Sequence, residues 1–413
     1  MRLPTPPSQG RWTLRARWVF PADAPPIADG RLTIEAGRIA LVQAAGTADV
    51  DLGNAAILPG FVNAHTHLDL GGLRGKCPPT PDLPAWLRRV IESRHATSPD
   101  ETETAIREGI AECLRFGTTL VGDITAGGAS ASALAKSPLW STVFHELIGL
   151  PRDRAEEAWC NAMRWMGANA MRWMAGDLDR LNWHDGLSPH APYSVHRDLF
   201  HRAFHHARAT GLPIAVHLAE SEAELQLLRE HAGPFVAFLD DLGVWAPEGL
   251  VSSPAAVIDL VGGAPRVLIV HGNYLPAETS FYPGQVLVYC PRTHAAFGHP
   301  RHPFPAFLRN GVWVALGTDS LASNPDLDML AEARFVHRHY PEVSGANLLR
   351  MLTHWGAMAL GWGLQTGSLT PGKSADFVVL PLSDAEPADP HDLLWESDLA
   401  VQDVCIRGLR VDG

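Results

Sequence analysis

Lysine is nearly absent from this chain: Lys76, Lys136 and Lys373 stand alone among 33 basic residues, the rest being arginine. There is no basic block, and the formal net charge is −12. A surface of that sign repels phosphate backbones and anionic headgroups, so no nucleic-acid or membrane partner is expected. No apolar run approaches the ~20 residues that cross a bilayer. The cysteines (Cys77, Cys113, Cys160, Cys290 and Cys405) are odd in number, widely spaced and free of any C-x-x-C pair. Such a set suits a reduced compartment better than a disulfide framework. The Pro-rich segment Met1–Gly10 lacks the apolar core of a secretion signal. A cytoplasmic protein is expected.

What is present is core material, at 46% hydrophobic against 19% charged residues. From about residue 59, short apolar runs alternate with helical patterns. The strand candidates are 59–64, 118–123, 141–148, 184–189, 213–218, 266–271, 285–290 and 312–317. Helical stretches lie between them, such as Glu101–Phe116 and Val195–Thr210. Eight strands alternating with helices predict an α/β chain folded as a (β/α)8 TIM barrel, with its active site at the strand C-termini. Both flanks instead read as short strands: 31–35 and 38–42 at one end, 375–380 and 403–407 at the other. They predict a small composite β-sandwich, giving a division into 1–58, a barrel over 59–365, and 366–413. The segment Asn161–Ala168 (NAMRWMGA) nearly recurs as Asn169–Gly176 (NAMRWMAG). This is read as a duplication within an outer helix. A subunit interface is the sharper reading, and a homodimer is expected.

Several strand candidates close on imidazole or carboxylate. The first ends in Ala64-His65-Thr66-His67, where residues i and i+2 share a side. Others end in His217, His271 and Asp319. A lone H-x-H is weak evidence; His337-Arg338-His339 lies in a helical pattern, where i and i+2 do not face each other. Five such groups at barrel-like intervals point to one divalent metal held by nitrogen and oxygen.

With these residues in view, the chain resembles the amidohydrolase superfamily, in its branch of chlorohydrolase-like and nucleoside-type deaminases. The resemblance is carried by Leu58–His67 (LPGFVNAHTH), His217–Glu220 (HLAE), His271–Asn273 (HGN), Cys290–Arg292 (CPR), Gly317–Asn324 (GTDSLASN) and Gly367–Phe377 (GSLTPGKSADF). It implies that His65, His67, His217 and Asp319 bind one Zn²⁺ or Fe²⁺, zinc being favoured. Two-metal relatives use a lysine at the end of strand four. Here Gly186–Tyr193 (GLSPHAPY) has none, so one metal is expected. His190 takes that strand end and is a candidate substrate contact. Asp319 and His271 are assigned to handling the attacking water, and Glu220 to protonating a ring nitrogen and the leaving amine.

The H-x-x-E spacing of His217 and Glu220 favours an aminohydrolase of a purine-like or pyrimidine-like ring. Leu83–Arg94 (LPAWLRRVIESR) and Gly186–Tyr193 further resemble aminodeoxyfutalosine deaminases. That family's substrate, an adenine nucleoside bearing a benzoate, asks for a cation; Arg88, Arg89, Arg94, Arg152, Arg154 and Arg292 are the candidates. Trp86, Glu92, His294 and Ser320 complete the expected substrate contacts, with Phe297 beside His294. Glu92 stands near the place where adenosylhomocysteine-type deaminases hold ribose hydroxyls. The alternatives are an amide- or halide-hydrolysing enzyme on the same scaffold, and a non-catalytic metal-binding scaffold.

Overall fold

The computed structural model describes residues 3, 10–176 and 182–411. A parallel sheet dominates. Its strands are Phe61–His67, Thr118–Thr125, Trp140–Leu147, Trp183–Pro189, Ile214–Leu218, Val267–His271 and Gln285–Tyr289, each bonded to the next. The eighth strand is in two pieces, Val314–Leu316 and Asp319–Ser320. Its first piece pairs with Gln285–Tyr289 and its second with Phe61–His67. The sheet therefore curls until its last strand touches its first, as in a TIM-barrel-like fold. All eight expected strands lie within a few residues of those predicted. The runs are continuously apolar because the central strands are buried on both faces, as parallel strands covered by helices must be.

Helices fall between the strands as the pattern required. Pro99–Arg115 starts at Ser98, whose hydroxyl accepts from Glu101 N while the Glu101 carboxylate accepts from Ser98 N. Arg197–Thr210 buries Leu199, Phe200, Phe204 and Ala207 against the sheet. The duplicated segment lies in one long helix, Arg152–Ala175, on which Met171 and Met174 are 63% and 81% exposed. No helix among the described residues is long and apolar enough to cross a membrane.

The two ends of the chain meet. Arg11–Val19, Ile27–Glu35, Arg38–Gln43, Val50–Asp51 and Ala55–Pro59 share one mixed sheet with Phe377–Pro381, Asp403–Ile406 and Leu409–Val411. Where a sandwich was expected, the described residues place these strands in a single eight-stranded sheet. Ala55–Pro59 continues through Gly60 directly into the first barrel strand. Asp376 ties the two sheets: its carboxylate accepts from Trp140 Nε1 at 2.6 Å, Ser374 Oγ at 2.7 Å and Arg407 N at 2.8 Å, and its carbonyl from Gly60 N at 3.1 Å.

The break in the eighth strand has a steric cause. A Cβ on Gly317 would lie 2.9 Å from both the Cβ and the carbonyl oxygen of His65. Only glycine lets the eighth strand approach the first this closely. Gly317→Ala is expected to lower stability by about 1–3 kcal/mol through overpacking and to displace His65. Chemical denaturation together with metal titration checks this; a variant with wild-type midpoint and wild-type metal affinity would refute it.

Candidate metal centre and active-site cavity

Every expected metal ligand arrives at the same end of the curled sheet. His65 and His67 are alternate residues of the first strand, so both rings turn inward. His65 Nε2 lies 3.4 Å from Asp319 Oδ1, and His67 Nε2 lies 3.7 Å from the same oxygen. His67 Nε2 and His217 Nε2 are 3.4 Å apart. Donor atoms of His65, His67 and Asp319 lie within 4.8 Å of one another, as do those of His65, His217 and His271. Donors held tetrahedrally about Zn²⁺ at 2.0–2.1 Å would stand about 3.4 Å apart. The spacing matches.

Two observations test whether this donor set suits a cation. Both ring nitrogens of His65 are buried with no hydrogen-bond partner. Leaving them so would cost about 1–3 kcal/mol per group. In addition, His217 Nδ1 lies 2.9 Å from the carbonyl oxygen of His190. A carbonyl only accepts, so Nδ1 carries the proton and Nε2 presents a lone pair toward His67 Nε2. A lone pair aimed into this cluster is a suitable donor to a cation. The neutral state is enforced by burial, which holds His217 down at about 4 and pushes His65 and His67 well below the ordinary imidazole value.

The backbone is contorted to build this arrangement. Ala219, His271 and Asp319 have φ of 51°, 68° and 62°, the left-handed region that side chains disfavour. Each such residue costs of order 1–3 kcal/mol and persists only where its surroundings hold it. The holders are visible. Ser323 Oγ donates to Asp319 Oδ2 at 2.8 Å, and Thr66 Oγ1 donates to the Asp319 carbonyl at 3.1 Å. His302 Nε2 donates to the His271 carbonyl at 2.8 Å. Glu224 accepts from the N–H groups of Ala219 at 2.8 Å and Glu220 at 2.9 Å.

Glu220 stands beside the donors, its Oε1 3.6 Å from His271 Nε2. Burial, with Asp319 and Glu224 adding to it, pushes its carboxyl well above the usual range. The protonated form is favoured by these surroundings. The centre opens into a cavity of about 400 Å³. Trp86, His190 and Ser320 line it as expected. Trp86 Nε1 already donates to Cys77 O at 2.8 Å, so this residue offers its ring face. His190 pairs through Nδ1 with Ser194 Oγ at 2.6 Å and is held by burial at about 4.

Two expected contacts are elsewhere. Glu92 is exposed on the outside of its helix, Leu83–His95, and does not line the cavity. Its one-residue offset from the inward face is enough to turn it to solvent. His294 is buried on the far side of its short helix against Tyr289, His299 and His302, again outside the cavity. Of the six arginines, Arg88, Arg152 and Arg292 are paired with Asp241, Asp198, and Asp326 with Glu332. Arg89 donates to Pro78 O at 2.9 Å. Only Arg94 and Arg154 reach the cavity, Arg154 with its side chain 63% exposed. Missed from the sequence were Asp69, Glu146 and Tyr193, which also line it. Glu146 carried a readable signal, since it too sits at the end of an apolar strand, Trp140–Leu147.

The model of the amidohydrolase family matches residues 56–411. The chain belongs to the amidohydrolase family. Among its relatives is the aminodeoxyfutalosine deaminase of Deinococcus radiodurans, 30% identical over 327 residues and covering 74% of each chain. Another is a 5-methylthioadenosine/S-adenosylhomocysteine deaminase of Nitratidesulfovibrio vulgaris, 31% identical over 380 residues, 86% of this chain and 79% of that one. A solved adenosine deaminase from Xanthomonas campestris with bound zinc is 27% identical, with a TM-score of 0.78 over 98% of this chain and 93% of that one. The Helicobacter pylori aminofutalosine deaminase in complex with methylthio-coformycin shares the fold, at 22% identity and a TM-score of 0.84 over 97% and 100%.

Two outcomes are expected for this amidohydrolase. His65→Ala should purify with less than a tenth of the wild-type metal content by plasma mass spectrometry; undiminished content would exclude His65 as a ligand. The His190 ring should stay neutral from pH 8 down to pH 5 in nitrogen-15 NMR titrations, consistent with its value of about 4. A midpoint near 6.5 would mean that water reaches the ring freely.

Proposed function

We propose that this amidohydrolase is a metal-dependent aminohydrolase that releases ammonia from an adenine-type nucleoside or a related aminated heterocycle, aminodeoxyfutalosine included. The observation that carries the reading is a buried Glu220 set 3.6 Å from His271, beside converging donors at the floor of a ring-sized cavity. The names of the relatives support the reaction class.

In this reading His65, His67, His217 and Asp319 hold one divalent cation, Zn²⁺ in preference to Fe²⁺. Held there, such a cation would supply an activated water, since divalent metals lower the pKa of a bound water from 15.7 toward about 7. Asp319, steadied by Ser323, takes up the proton that the water gives. His271 Nε2 orients the attacking oxygen from a buried ring whose backbone carbonyl is anchored by His302. Glu220 delivers its own proton to a ring nitrogen of the heterocycle, takes one from the hydroxyl of the addition product and passes it to the departing amine; the proton held by Asp319 then restores Glu220. The turn that carries Glu220 is clamped by Glu224 and by Asn273, whose Nδ2 donates to Glu220 O at 3.0 Å. Trp86 and His190 flank the heterocycle, and Ser320 lies beside the metal ligands. Residues 59–365 are read as the catalytic unit, with 1–58 and 366–413 together forming a β domain beside it.

A panel of aminated purines, their nucleosides and pterins should yield ammonia release from at least one adenine-type nucleoside, followed by the shift from adenine-like to hypoxanthine-like absorbance. Glu220→Gln is expected to lower kcat by about 10²–10⁴-fold, the usual size of a general acid–base contribution, while keeping the bound metal. Wild-type turnover in that variant would remove the mechanism.

A further inference from the structure

The third barrel strand ends on a carboxylate that the reaction above does not use. Strand alternation turns His145 outward against Trp165 and Glu146 inward. The Glu146 side chain is only 8% exposed, and that opening is onto the active-site cavity. It makes no hydrogen bond among the described residues; His190 Nε2 lies 3.9 Å from its Oε1, and the charge of Arg94 acts on it across the cavity. A buried carboxylate without a donor is costly. In a cavity wall it marks a place where a ligand supplies the donor.

Arg94 faces the same space. Its Nη2 donates to Asp69 Oδ2 at 3.1 Å, and Asp69 is itself held by Ala126 N at 3.3 Å. The guanidinium is thus fixed from behind, and its other nitrogens make no hydrogen bond among the described residues. The two groups lie one ring outward from the metal ligands: the His190 ring is 4.9 Å from that of His217, and Glu146 follows. Around them the walls are apolar, formed by Val90, Ile91, Leu150, Phe238 and Leu239. Hydrogen bonds in such surroundings gain strength.

We propose that Glu146 and Arg94 form a specificity subsite for the neutral vicinal hydroxyls of a sugar attached to the reacting heterocycle. This rests on the aminohydrolase reading and narrows its substrate to a nucleoside with an intact diol. A hydroxyl both donates and accepts, so a diol can give a proton to Glu146 and receive one from Arg94 at once. A carboxylate at this depth would face Glu146 and Asp69; an ammonium would face Arg94. Neither satisfies both walls. The hydroxyl-binding carboxylate expected on the first helix, at Glu92, is turned to solvent, and the third strand supplies one instead.

The test compares wild type with Glu146→Met, a change of similar length that leaves no unpaired polar group. Values of kcat/KM are measured for adenosine, 2′,3′-dideoxyadenosine and 3′-amino-3′-deoxyadenosine. Calorimetric affinities are measured for inosine and 2′,3′-dideoxyinosine. Wild type should favour the diol by about 10–100-fold in both measurements, the range of hydrogen bonds to charged groups. In Glu146→Met that ratio should fall toward 1. Arg94→Met should show the same fall, and it serves if the first variant does not fold. A ratio retained in the variants, no diol preference in wild type, or better use of the 3′-amino compound would overturn the subsite. If no nucleoside is deaminated yet inosine binding shows the Glu146-dependent preference, the reaction class fails and the subsite stands. If inosine does not bind to wild type at all, the subsite fails.

Discussion

The structure turns on a concentration of buried nitrogen and oxygen donor atoms. His65, His67, His217 and Asp319 come together with nitrogen and oxygen lone pairs 3.4–3.7 Å apart, and burial keeps the rings neutral. Such a cluster is self-repelling in isolation and becomes favourable when a cation occupies its centre. Metal binding is then part of the folding free energy of this end of the barrel. Much of the surrounding architecture can be understood as what is needed to hold these side chains in place before any cation arrives.

That need explains where the backbone is strained. Of the eight non-glycine residues with positive φ among those described, Ala219, His271 and Asp319 belong to the site. Each breaks a strand end so that a side chain, or the turn bearing Glu220, points across the cavity instead of along it. The strain is held by hydroxyl, imidazole and carboxylate partners (Ser323, Thr66, His302 and Glu224) that touch the backbone or the ligand and never the cavity centre. Catalytic geometry in this fold is therefore supported by an outer ring of hydrogen bonds as much as by the ligands.

Burial also separates the carboxylates of the cavity into different roles. Asp319 sits among imidazoles and is tied to Ser323. Glu220 is pushed well above the ordinary range by desolvation, with Asp319 and Glu224 opposing its ionisation further. Asp69, raised to about 6 by burial, steadies Arg94. Identical chemistry thus yields a ligand, a proton donor and a guanidinium anchor within one space, according to neighbours and solvent access.

The strand and helix pattern and the candidate ligands that converge at the strand ends were legible along the chain because they obey short-range rules. A two-residue period turns His65 and His67 together, and a parallel barrel sets its chemistry at strand ends, where His217, His271 and Asp319 stand. Resemblance of those motifs to amidohydrolases extended the reading to Glu220. Contacts on helices and loops were not legible in the same way. Glu92 and His294 failed because a single position around a helix moves a side chain from cavity to solvent or to a neighbouring core. Glu146 shares the strand-end position of the other candidates and was legible on that ground, but its lack of a hydrogen-bond partner exists only in three dimensions. The residue order alone determined which groups would line the strand ends, since strand periodicity is local. Tertiary packing decided which arginine faces the cavity, which carboxylate is pushed toward its protonated form and which residues form the cavity wall, since each depends on what distant segments bring within a few ångströms.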